Sequence, residues 1–162
     1  MPFDVFCKFK GEKTGDWKGD CPIEAYKDTV EATHLGLPVT VPTDPQTGLP
    51  TQTAYYPGNE LTVIADKALA NMYQAINTNE GFSVTITCVG SDQKSAQKKE
   101  LWQITHENCT FTNVEMVNPD KYEPGMQNIP ARARLTYVAA KSKVENKVGN
   151  TVAQWELAKK WG

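Results

Sequence analysis

The sequence predicts a mainly β domain, an antiparallel barrel or sandwich with one helix packed on its flank. Three observations predict it. Short segments that alternate apolar and polar residues recur along the chain, separated by turn residues. Only one segment changes to a helical period. A stiff, proline-rich stretch interrupts the first half, and it can be neither a helix nor a central strand.

The first alternating segment places Phe3, Val5, Cys7 and Phe9 on one face, with Asp4, Phe6 and Lys8 between them, which is a half-buried strand. "GEKTGDWKGD" follows as a glycine-punctuated loop. The segment from Ile23 to His34 is polar but rich in β-branched residues and reads as one or two moderate strands. A strand at Pro38–Val41 leads into "PTDPQTGLP", and Thr51–Tyr56 leads out of it, so the pair forms a long hairpin with that tip. Five prolines (Pro38, Pro42, Pro45, Pro50 and Pro57) fall within residues 38–58, each fixing φ and removing a backbone donor. Between Pro42 and Leu49 the only charge is Asp44.

Asp66 is placed to cap "KALANMYQAIN", where Leu69, Met72, Tyr73 and Ile76 fall at i, i+3, i+4 and i+7. This is a helix of about three turns, ended by "NTNEG". Phe82, Val84, Ile86 and Cys88 then alternate with Ser83, Thr85 and Thr87. Beyond the polar turn "GSDQKSAQKKE" come three more strands, "LWQITH", "TFTNVEMV" and "ARARLTYVAA". "NPDKYEPGMQNIP" separates the last two as a long irregular loop. The C-terminal "TVAQWELAKKW" suits a strand or a short helical tail. No internal repeat is present, and the 162 residues suit one domain with a real core, spanning 1–162.

Composition narrows the function. Hydrophobic residues make up 40% and charged residues 22%, with a formal net charge of −2, so bulk electrostatics recruit neither nucleic acid nor an anionic membrane. No apolar run reaches the length of a membrane span. "MPFDVFCKFKGEK" carries Asp4 within its apolar part and has no small-residue cleavage site after it, so it does not read as a signal peptide. The expectation is cytoplasmic synthesis, with any export by a route that needs no removable leader. Cys7, Cys21, Cys88 and Cys109 show no C-x-x-C or zinc-finger spacing, and free, partly buried thiols are expected.

The densest reactive cluster is "THENC", which brings together His106, Glu107 and Cys109. On a regular strand, residues 106 and 109 point to opposite faces and cannot hydrogen-bond without a bulge. No glycine-rich elbow precedes Cys109, so a strand end with a buried thiol is the better reading. His34 and His106 with the scattered cysteines give no metal-ligand spacing. "GEKTG" lacks the order of a phosphate-binding loop. "KSAQKKE" and "AKKW" are solvated surface with acidic neighbours, and the sequon at Asn108 carries no weight without a secretory signal. Neither catalytic residues nor a cofactor or metal site are expected.

"VTVPTDPQTGLPT" carries a more specific signal. It resembles the long hairpin loop of the haemolysin-coregulated protein (Hcp) family, the tube-forming subunits of bacterial type VI secretion systems. "ADKALANMYQAI" resembles the family's single helix, "EGFSVTITC" the strand after it, and the short strand before "GEKTG" also fits. The similarity is good over about residues 38–90, and beyond 91 only the order of elements agrees. The N-terminal "DWKGDCPIEAYKDTVEATHLG" and the C-terminal "QWELAKKWG" depart from the family pattern.

The resemblance implies a small antiparallel β-barrel with one flanking α-helix and a long extended hairpin loop. It also implies hexameric rings that stack into an exported tube and hold some effectors in the lumen, with sheath, spike and effector proteins as further partners. Pro42, Thr43, Asp44, Pro45, Gln46, Thr47, Gly48, Leu49 and Pro50 are then the expected contact loop between rings or subunits. A phage-like tail-tube subunit is the alternative in another machine. A β-barrel module binding a carbohydrate or peptide on Trp17, Tyr55, Tyr56 and Trp102 is the alternative from another class.

Overall fold

Sheet edges that satisfy one another close the barrel. In the computed structural model, which describes residues 3–51, 56–91 and 98–156, eight strands and one helix follow in chain order. They are β1 (Asp4–Gly11), β2 (Gly15–Trp17), β3 (Val30–Gly36), β4 (Asn59–Ile64), α1 (Ala68–Thr78), β5 (Phe82–Ser91), β6 (Lys98–Val117), β7 (Arg132–Asn146) and β8 (Thr151–Glu156). All pairings between them are antiparallel. The order β1-β3-β4-β7-β6-β5 returns to β1, giving six strands in a ring, while β2 and β8 extend β1 and β7 outside it.

The inner faces supply one core. Val5, Cys7 and Phe9 from β1 meet Val84, Ile86 and Cys88 from β5, Leu61 and Val63 from β4, and Leu135 and Tyr137 from β7, all buried. An aromatic cluster fills one part of it: Phe82 and Phe111 stack at 4.1 Å, and Trp17 lies 5.6 Å from Phe82 and 6.2 Å from Phe111. The core as a whole also takes in Ala68, Leu69, Met72 and Ala75 of the helix. The predicted helix is therefore present, with Tyr73 and Ile76 at the margin of its buried stripe. Asp66 does cap it, its Oδ1 accepting the Ala68 N–H at 2.9 Å, and left-handed Asn79 ends it.

The loop read as solvated "GEKTG" is clamped from within the fold. Glu80, 5% exposed, accepts the backbone N–H groups of Lys13 and Thr14, both at 2.7 Å, on Oε1. Its Oε2 accepts the Thr14 hydroxyl at 3.2 Å, and Thr14 Oγ1 in turn accepts the Trp17 indole N–H at 2.7 Å. Burial pushes the Glu80 carboxyl up, but the donors outweigh it and hold it below its ordinary value.

Several elements differ from the sequence expectation. "LWQITH" and "TFTNVEMV" are one strand of 20 residues rather than two, because irregularities let β6 bend around the barrel without breaking. The expected polar turn "GSDQKSAQKKE" is shorter than predicted, since Val89–Ser91 pair with Lys98–Glu100; residues 92–97 lie outside the described residues. Of Ile23–His34 only the second part is strand; Glu24–Tyr26 form a 3-10 turn whose Tyr26 ring stacks on Phe6 at 4.1 Å. That contact explains why Phe6, on the outward face of β1, is also buried. Pro38–Val41 lies in no regular strand among the described residues, as Pro38 and Pro42 cannot donate to a ladder. The expected partner Thr51–Tyr56 lies mostly outside the described residues. The first part of the ambiguous C-terminal segment, Thr151–Glu156, is a strand on β7; residues 157–162 lie outside the described residues.

Candidate functional site: the proline-rich arm

Gly36 ends β3 and Asn59 begins β4, so the arm leaves and rejoins the barrel between neighbouring strands. Its tip is doubled back. Thr43 and Pro50 form a bridge, the Thr51 N–H donates to Pro42 O at 2.9 Å, and the Asp44 N–H donates to Leu49 O at 2.8 Å. Inside that ring the Gly48 N–H donates to Asp44 O at 2.8 Å, and the Gln46 N–H to Asp44 Oδ1, also at 2.8 Å. The Asp44 carboxylate thus supplies an Asx-type turn at the one charged position of the tip. Gly48 has φ +71, a left-handed conformation that a β-carbon disfavours, which is why glycine suits this corner.

All nine predicted contact residues, Pro42 to Pro50, therefore fall in one locally closed unit at the surface. Pro42 and Asp44 are half-buried and the other seven exposed. Leu49 at 64%, Val39 at 49% and Val41 at 41% present apolar side chains to solvent. Order without burial is the feature to explain. Three fixed prolines and five backbone hydrogen-bond donations hold the tip with no contribution from the core. An arm ordered in advance loses little conformational entropy on docking.

The other sequence candidates are dispersed or enclosed. His106 and Cys109 do share a face, contrary to the strand-parity expectation. Between Phe82↔Cys109 and Val84↔His106, two residues of β5 span three of β6, and Asn108 takes φ +52 at that bulge. Both side chains end up buried. Burial drives the His106 imidazole down to about 4 and the Cys109 thiol well above its ordinary range, so neither the imidazolium nor the thiolate is favoured. His106 Nδ1 instead pairs with the Tyr137 hydroxyl at 2.7 Å, which satisfies both polar groups inside the barrel. Glu107 lies on the outside.

His34 is exposed, near Glu60 at 4.0 Å, and no group of three or more His, Cys, Asp or Glu suited to a metal occurs among the described residues. Cys7, Cys21, Cys88 and Cys109 are free thiols, as expected, with Cys21 alone half-buried. The aromatic platform does not assemble: Trp17 is buried in the core, Trp102 packs at its edge, and Tyr56 stacks on Trp155. Tyr55 lies outside the described residues.

Sequence reading missed two residues near the arm, Gly58 and Trp155. Gly58 has φ +118, and a β-carbon there would meet Thr136 Cγ2 at 3.3 Å, so the chain passes tightly over β7. Trp155 gave no usable signal, because a strand or a helix placed it equally well.

Comparison with known proteins bears on this arrangement. The family model described as "Type VI secretion system effector, Hcp" matches residues 6–144. No curated protein sequence matches. Among solved structures, one described as a crystal structure of an Hcp protein superposes with a TM-score of 0.88 at 18% identity, covering 97% of this chain and 99% of that one. The Hcp1 protein of the E. coli EAEC 042 pathovar, in a doubly substituted form, gives a TM-score of 0.81 at 20% identity over 96% and 98% of the two chains. The secreted protein Hcp3 of Pseudomonas aeruginosa gives 0.76 at 12% identity over 97% and 99%. At these identities the structural likeness speaks for the fold, while the family match extends over most of the chain.

Proposed function

The chain belongs to the Hcp family of the type VI secretion system, and from that premise we propose that it is a structural subunit of the secretion tube, built as one domain over residues 1–162. Six copies close into a ring, rings stack, and Pro42–Pro50 of one ring docks on the next. The subunit does no chemistry. It is assembled in the cytoplasm and then exported, with sheath, spike and lumenal effector proteins as its other partners.

The observation that carries this reading is the arm, ordered by its own hydrogen bonds while it holds Leu49, Val39 and Val41 in solvent. An exposed apolar element that is already rigid suits a docking partner. Its single charge keeps like-charge repulsion between identical rings small. Among the described residues β2 and β8 each pair on one side only, and such edges suit covering by a neighbouring subunit, as strand edges commonly are. No helix among the described residues is long and apolar enough to cross a membrane.

Replacing Thr43–Leu49 by an Asn-Gly turn tests the arm. Light scattering at micromolar protein should still give a ring-sized species. Electron microscopy should show no stacked tubes, and export from a cell with an active secretion system should stop. Long tubes and normal export from the shortened protein would refute the arm's role, and a monomer from the unaltered protein would refute the ring.

A further inference from the structure

We propose that β8 is a strap that fixes the base of the arm, with Trp155 as its positioning residue. The arm's value as a docking element rests on the function proposed above; the physical coupling of strap and arm does not. Both stems of the arm converge on one place. Leu37 and Val39 from the outgoing stem, and Tyr56 and Gly58 from the returning stem, line a seam with Val138, Ala139 and Trp155. The Tyr56 and Trp155 rings lie 6.0 Å apart and within 9° of parallel. The space left in the seam is about 10 Å³, at the lower limit for a single water, so the stems and the strap are packed together.

The strap itself is weakly held. Along β8, Thr151, Val152, Ala153, Gln154 and Glu156 are exposed, and only Trp155 is half-buried. Its ladder to β7 runs from Asn146↔Thr151 to Lys141↔Glu156, and its other edge has no strand among the described residues. The Lys141–Glu156 ion pair, 3.8 Å apart and exposed, adds little. Trp155 is therefore the one half-buried side chain of β8, and its ring ties the strand to Tyr56 of the arm.

Two marginal elements that share one packed seam stabilise each other reciprocally. Among the described residues the tip's hydrogen bonds are internal to residues 42–51, so they fix its shape but not its direction. Direction is set at the stems. A small displacement of the seam, which Leu37 and Val39 also line, is carried through the proline-fixed outgoing side of the arm to Leu49. At Gly58 the returning stem runs close over β7, where an added β-carbon would meet Thr136 Cγ2 at 3.3 Å.

Hydrogen exchange on the full-length protein tests the coupling through variants on both sides of the seam. Trp155→Ala should speed amide exchange in the arm stems, at Leu37, residues 39–41 and residues 58–59, by about fivefold to tenfold, the loss of one aromatic pair. Trp155→Phe should restore slow exchange, because a ring still faces Tyr56. Tyr56→Ala should produce the mirror effect, faster exchange throughout β8. Unchanged stem exchange in Trp155→Ala would overturn the strap, as would unchanged β8 exchange in Tyr56→Ala; if the first variant does not fold, the second decides alone. Tube formation is scored separately in the arm-shortened protein. Stacking by that protein would defeat the docking reading and leave the exchange result to judge the strap.

Discussion

The aromatic end of the barrel and the tip of the arm are both well ordered, by opposite means. Around Phe82, order comes from burial: Phe9, Trp17, Phe111 and Tyr137 all lie within 6.0 Å of its ring centre. At Pro42–Pro50, order comes from the backbone, through prolines and short local hydrogen bonds, with most side chains in water. Removing atoms from the first region should therefore cost global stability. Altering the second should change only a local equilibrium. In the proposed function a tube subunit gains from this division, because a docking arm can vary without endangering the barrel.

Phe82→Ala should have the largest effect, a destabilisation of about 3–5 kcal/mol, read as a large fall in the urea midpoint. The aromatic cluster cannot close over a missing ring whose neighbours come from β1, β2, β6 and β7. If the shortened arm lowered the midpoint as much as Phe82→Ala, the contrast between the regions would fail.

Acid should act next, on the barrel. The His106 imidazole is held at about 4 by burial, against 6.5 in the unfolded chain. Between those values the unfolded state binds more protons than the folded state, so stability rises with pH across the window. The contribution is fully present above about pH 6.5 and is lost as pH falls towards 4, a change of about 3 kcal/mol. Urea midpoints from pH 4 to 7 should show a steeper slope for the unaltered protein than for His106→Gln. Equal slopes would place the acid sensitivity elsewhere. Glu80, held low by its donors, should add a loss of the same sign at still lower pH, as its clamp on the Lys13–Thr14 turn becomes protonated.

Gly48→Ala should have the smallest effect. Nothing lies within 4 Å of the added carbon, so the cost is conformational only, about 1 kcal/mol for an L-residue at φ +71. That cost should appear as faster amide exchange at Asp44, Gly48 and Thr51, whose bonds close the tip, with an unchanged urea midpoint. A shifted midpoint would show that the arm folds with the barrel, which would sharpen the comparison in the other direction.

Much of this was legible in the chain. Phe82, Val84, Ile86 and Cys88 alternate because β5 has one wet and one dry face, and two-residue periodicity is a direct imprint of that geometry. Leu69 and Met72 mark α1 for the same reason at a helical period. The tip of the arm was legible because proline and glycine restrict φ and ψ by themselves, whatever surrounds them. Such local rules also lent the hairpin motif its family resemblance.

Other features depended on contacts between distant residues. Strand parity placed His106 and Cys109 on opposite faces; the bulge at Asn108 placed both inside, and a bulge is set by how β6 must curve over β5. The turn at Lys13 and Thr14 looked solvated, yet it is held by Glu80, some sixty-six residues away in sequence. Trp155 showed neither its strand nor its partner until Tyr56 was seen against it. By itself, then, the sequence determined what each segment's own backbone and side-chain period dictate: the strands of the core, the helix and the stiff tip. The tertiary structure alone decided ring closure, the inward turn of His106 and the hold of β8 on the arm, because each is a free-energy balance between groups that meet only after the chain has folded.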